Sequence, residues 1–225
     1  MYALFIANKN YSSWSLRPWI LMQQHAIPFE EHLSAFESRP FREFSPSGRV
    51  PCLHDEGTVV WDSLAIIEYL AERHAGVWPA DPQARAWARC AAAEMHSGFG
   101  VLRQYCGMNC GVRVRLHDLP TSLKQDIARI DELWADGLAR FGGPFLAGTE
   151  FTAVDAFFAP VAFRINTYGL KLGPAAAAYA QCLLSLPAMQ RWYAEALREP
   201  WRDVAHEDEL KQYGNCVEDK RLPVT

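Results

Sequence analysis

Apolar residues in the first seventy-five positions come in short runs parted by polar turns. Leu4-Phe5-Ile6-Ala7 followed by Asn8-Lys9-Asn10 reads as a strand and a turn leading into a helix. A second strand is expected at Phe29 to Ser34, a short irregular helix around Pro40 to Phe44, a third strand in Arg49-Val50-Pro51-Cys52-Leu53-His54, and a fourth at Thr58-Val59-Val60. Leu64, Ile67, Leu70 and Ala71 then recur at helical spacing, giving a helix from Asp62 to His74. Gly76-Val77-Trp78-Pro79 and Asp81-Pro82 supply a helix stop, a linker and a new helix start. The pattern divides the chain into an α/β domain, 1–76, and an all-α helical domain, 82–225.

Beyond Pro82 the pattern contains no convincing strand. One long helix is expected from Pro82 to about Gly107. A second, Thr121 to Arg140, carries Ile127, Ile130, Leu133, Trp134 and Leu138 on one face. Thr152-Ala153-Val154-Asp155 has the spacing of a capping box, with Asp in place of Glu or Gln. Helices at Pro174 to Leu184 and Pro187 to Leu197 follow. The polar tail after Pro200 either covers a substrate pocket or packs on the surface.

Three places carry candidate chemistry. Tyr11-Ser12-Ser13-Trp14-Ser15-Leu16-Arg17 puts hydroxyls at a helix start, where unpaired N–H groups and the helix dipole favour anions and thiolates. A serine there either caps the helix or serves a ligand. Val50-Pro51 is a candidate cis peptide that would turn the Val50 backbone outward to pair with an extended peptide; the alternative is an ordinary strand start. Asp62-Ser63 opens another helix, either as its cap or as a site for a zwitterion, with the carboxylate taking an ammonium and the hydroxyl a carboxylate.

Taken together, in this order, these motifs resemble the N-terminal domain of the glutathione transferase superfamily, in its serine-type members. The Ser12 to Arg17 pattern is most similar to the zeta class, the maleylacetoacetate isomerases, which carry cysteine where this chain has Trp14. The resemblance implies a thioredoxin-like fold followed by a helical domain, and glutathione as co-substrate. It implies a small electrophile as partner and a homodimer. A hydroxyl of Ser12, or of Ser13 in second place, would bond the glutathione sulfur. Arg49 and Val50 would hold the peptide, and Asp62 and Ser63 the γ-glutamyl end. Tyr11 is a rival donor placed behind the serines. Arg39 and Arg42 are candidates for the glycyl carboxylate, and Tyr105, Met108 and Asn109 for part of the second-substrate wall. The resemblance extends to Asp155, with a structural role. His96 is read as a satisfied histidine, and Arg17 as structural or as tuning the field at the sulfur. A second reading keeps the fold as a catalytically silent binding or regulatory protein.

Composition narrows the field further. The 225 residues carry a formal charge of −4, with no basic excess to support nucleic-acid or anionic-membrane binding. No run approaches the ~20 apolar residues that cross a bilayer, so a cytoplasmic protein is expected. The six cysteines lack CxxC spacing, and Cys106 and Cys110 with His96 and His117 match no standard zinc set, so no metal is expected.

Overall fold

The computed structural model describes residues 1–38 and 41–223. Strand β1 (Tyr2–Ala7) leads through the Asn8–Asn10 turn into helix α1 (Ser13–Gln24), and β2 (Phe29–Ser34) returns beside β1. A four-residue helix α2 (Phe41–Phe44) precedes the hairpin β3 (Cys52–Asp55) and β4 (Thr58–Val60), and α3 (Ser63–Ala71) closes this part. The sheet order is β2-β1-β3-β4, with β1 and β2 parallel and the other neighbours antiparallel. This is a thioredoxin-like mixed sheet. Period-two alternation along β1 buries Leu4 and Ile6 completely, while Phe5 faces the other side and stacks on His32 and Phe44. On the buried side α1 contributes Leu16, Trp19 and Ile20 and α3 contributes Ile66, Ile67 and Leu70, each fully enclosed and worth about 1.5–3 kcal/mol of burial.

The remainder is helical: α4 (Pro82–Ser97), α5 (Gly100–Tyr105), α6 (Thr121–Phe141), α7 (Ala153–Tyr168), α8 (Pro174–Ser185), α9 (Pro187–Arg198) and α10 (Val204–Tyr213). Two expectations need correction. The long helix from Pro82 breaks at Gly98 and Phe99; a Cβ on Gly98 would lie 2.7 Å from the Glu94 carbonyl oxygen, and Phe99 takes φ +56°. A two-stranded ribbon is also present, β5 (Val112–Leu116) paired antiparallel with β6 (Gly214–Asp219). Val112-Arg113-Val114-Arg115-Leu116 alternates with a period of two, burying Val112 and Val114, and that signal went unread.

Helix α7 is the central post, buried along nearly its whole length and packed on α1, α4 and α8. Asp155 anchors its start. Its carboxyl accepts from the Thr152 N–H (2.9 Å), the Leu146 N–H (3.0 Å) and the Tyr179 hydroxyl (2.7 Å), and burial pushes it up to about 6. Ala153 N–H also donates to Val77 O at 2.8 Å, tying the helix to the linker. Among the described residues no helix is long and apolar enough to cross a membrane.

Candidate active site at the start of helix α1

The Val50–Pro51 bond is cis. Val50 lies just before β3, and its N–H and C=O take no partner among the described residues, as a peptide-accepting strand edge requires. A cleft of about 270 Å³ opens in front of it, lined by Trp14, Ser47, Arg49, Val50, Pro51, Trp61 and Asp62. Across Arg49, a second recess of about 380 Å³ is bounded by Phe36, Phe41, Arg42 and Gly48. Arg42 donates to Pro46 O at 2.6 Å, and Arg39 lies outside the described residues.

Asp62 does two jobs. One oxygen caps α3 by accepting the Leu64 N–H at 3.0 Å, and the other lies 3.3 Å from His96 Nε2 on α4. His96 Nδ1 accepts from Arg17 at 3.5 Å, so the ring proton sits on Nε2, facing Asp62. Burial, with Arg17 and Arg103 nearby, holds this imidazole below its ordinary value and so neutral. Ser63 is fully enclosed, does not line the cleft, and accepts from Arg17 at 3.5 Å.

The serines differ from one another. Ser12 does not cap α1 with its side chain; its hydroxyl donates to Ser15 Oγ at 2.6 Å, which also accepts the Ala7 N–H at 3.3 Å. Ser13 accepts from Arg164 Nη2 of α7 at 3.2 Å. Both serines are nearly enclosed, Ser12 at 4% and Ser13 at 7% exposure. Tyr11 donates to Glu207 at 2.7 Å, and burial with that carboxylate raises its phenol far above the ordinary range.

Two arginines lie over Trp14, and a third stands behind Ser13. The Arg17 and Arg103 guanidiniums lie 4.1 and 4.6 Å from the ring centre, and Arg164 is buried behind Ser13. Burial is the first cause pulling all three down, Arg103 to about 10, and none forms an ion pair within 4 Å among the described residues. The sequence reading missed His96, Arg103 and Arg164 as members of this site. For Arg164 a signal existed: one cation inside the otherwise apolar run Ala156 to Ile165. At the expected second-substrate wall, Tyr105, Met108 and Asn109 bound a gap of only about 10 Å³, room for one water, because α10 fills the space.

Residues 11–73 match the family described as the glutathione S-transferase N-terminal domain, and residues 118–195 match its C-terminal domain. The chain belongs to the glutathione transferase superfamily. A relative named "Probable maleylacetoacetate isomerase" from Caenorhabditis elegans is 27% identical over 173 residues, covering 72% of this chain and 78% of that protein. Among solved structures, a glutathione transferase homolog from Burkholderia GL BGR1 with bound glutathione superposes with TM-score 0.67 at 22% identity, covering 87% of this chain and 97% of that one. A diazinon-metabolizing glutathione S-transferase of the silkworm Bombyx mori superposes with TM-score 0.71 at 17% identity, covering 87% and 97%. Sequence places the chain in the superfamily, and the superpositions agree on the transferase fold.

Proposed function

We propose that this glutathione transferase binds glutathione in the cleft before Pro51 and activates its thiol for attack on, or reversible addition to, a small electrophile. The observation that carries this reading is the Val50 backbone, unpaired beside the cis bond and facing the same cleft as the Asp62 carboxylate. Glutathione needs such a pair. Its cysteinyl backbone bonds an exposed strand edge, and its γ-glutamyl ammonium pairs with a carboxylate. Arg49, exposed at the rim, flanks the peptide. Ser63 enters as support: from inside, it and His96 hold Arg17, and His96 aims Asp62.

Activation means stabilising the thiolate over the thiol. An ordinary thiol with a pKa of about 8.5 is mostly protonated at neutral pH, and each unit of depression needs about 1.4 kcal/mol. The α1 start, a serine hydroxyl and the arginines around Trp14 all act in that direction. An isomerase is favoured among the possible reactions by the Ser12 to Arg17 pattern and by the Caenorhabditis elegans relative. In the same reading residues 1–76 and 82–225 are the two domains, and the protein is a cytoplasmic homodimer.

Calorimetry with reduced glutathione tests the core of this. Wild type is expected to bind. Asp62→Asn should weaken binding about tenfold or more while Tm stays within about 2 °C, because Asn also caps helices. Absence of binding at millimolar glutathione would instead point to the silent binding protein.

A further inference from the structure

The Asp62 carboxylate has a titratable neighbour. Its Oδ2 lies 3.3 Å from His96 Nε2, so a side chain of α4 stands behind the rim of the cleft. His96 is half-buried and does not line the cleft itself; what it does to a ligand passes through Asp62, which does. The other ring nitrogen meets α1. Arg17 Nη1 approaches Nδ1 at 3.5 Å, and a guanidinium can only donate, so Nδ1 accepts and the neutral ring carries its proton on Nε2.

Arg17 holds the ring in that state. It is 1% exposed, its Nε has no hydrogen-bond partner, and it forms no ion pair among the described residues. Its route to an anion runs through the imidazole to Asp62. A proton added at Nδ1 would set donor against donor and place a third cation beside Arg17 and Arg103. Arg103 also takes the carbonyls of Met95, His96 and Gly98, which at the end of α4 would otherwise favour an imidazolium. Trp14 meets the ring edge-on from α1, and Phe157 does so from α7. The charged groups facing His96 are therefore Asp62, Arg17 and Arg103. Burial comes first in holding the imidazole below its ordinary value; Asp62 opposes it, and the two guanidiniums add to it.

We propose that His96 is the positioning residue of the carboxylate that receives the γ-glutamyl ammonium, and that its protonation weakens glutathione binding. Neutral, the imidazole leaves the Asp62 charge to the ligand. Protonated, it pairs with Asp62 and repels the incoming ammonium. By linkage, the bound ligand lowers the proton affinity of the ring, so binding expels a proton. Affinity then falls as pH falls through the value His96 has in the free protein. This inference rests on the glutathione reading above, with Asp62 as the ammonium's partner.

The probe is S-methylglutathione, which keeps the γ-glutamyl end and has no thiol to titrate. Its calorimetric Kd is expected to rise about threefold or more between about pH 7 and about pH 5. Titrations near the acidic end in buffers of different ionisation heat should show protons released on binding, a readout that needs no variant. His96→Gln keeps a polar side chain that does not titrate. It should bind within about threefold of wild type at neutral pH and show neither the rise nor the release. An S-methylglutathione analogue with hydrogen in place of the ammonium should bind more weakly and independently of pH. Three results overturn the inference alone: a wild-type Kd that is flat with no proton released, a pH dependence that survives in His96→Gln, or the same dependence with the analogue. Wild type that binds neither glutathione nor S-methylglutathione at millimolar concentration overturns the functional reading as well.

Discussion

Trp14 stands where the zeta pattern has cysteine, and the structure gives the tryptophan a reason. Its ring lies against the guanidiniums of Arg17 and Arg103, with His96 at its edge. Each such cation–π contact is worth about 0.5–2 kcal/mol, more where water is excluded, and here they also separate cations that would otherwise repel. Trp14→Ala is therefore expected to destabilise the protein by about 2–4 kcal/mol in urea titration, with Trp14→Phe recovering roughly half. The hydroxyls of Ser12 and Ser13 at the start of α1 were legible from the sequence. Their different partners were not, because they depend on Ser15 on one side and on Arg164, 151 residues away, on the other.

Among the elements, α7 best shows a sequence signal carried through to energetics. The Thr152 to Asp155 spacing forecast its start, and Asp155 is enclosed by three donors from three segments. Its carboxyl keeps its proton up to about 6 when folded and loses it near 3.8 when unfolded. Between those values the unfolded chain binds fewer protons, so this group's contribution falls as pH rises through that window, by about 3 kcal/mol in all, and is constant on either side. Asp155→Asn, whose side chain does not titrate, should lose this fall. The stability difference between wild type and variant, followed by chemical denaturation between pH 3.5 and about 7, reads it directly. The elements misread from sequence were the break at Gly98 and Phe99 and the β5–β6 ribbon. The first depends on one residue in left-handed backbone and the second on pairing across about a hundred residues.

At the scale of the molecule, the C-terminal residues hold the loop that presents the serines. Glu199 is buried and accepts the Lys9 N–H, the Asn10 N–H (3.2 Å) and Asn10 Nδ2 (3.4 Å), and Trp192 Nε1 donates to Lys9 O at 2.8 Å. Lys9 itself is nearly enclosed, its ammonium paired with Glu31 at 2.7 Å and with Glu195, above the rings of Trp19 and Trp192. Among the described residues, the polar tail after Pro200 packs on the surface beside this loop and, through His206, Glu209 and Leu210, closes the gap at Tyr105, Met108 and Asn109. Through Glu207 and Arg221 it grips Tyr11. Glu199→Ala strands two buried amides and is expected to cost about 3 kcal/mol. The Lys9 and Asn10 amides should then lose hydrogen-exchange protection before those of β1 and β3.

The sequence by itself determined the order of elements through α3, the superfamily and the three motifs that meet at the cleft. Each of those depends on local periodicity, a turn, or a residue type suited to a helix end. Tertiary structure alone decided that Ser12 and Ser13 take different partners, that the Asp62 carboxylate faces His96, and that Arg17 and Arg103 lie over Trp14. Those facts arise from side chains far apart in the chain being enclosed together. Burial then removes the water that would otherwise satisfy or screen each of them.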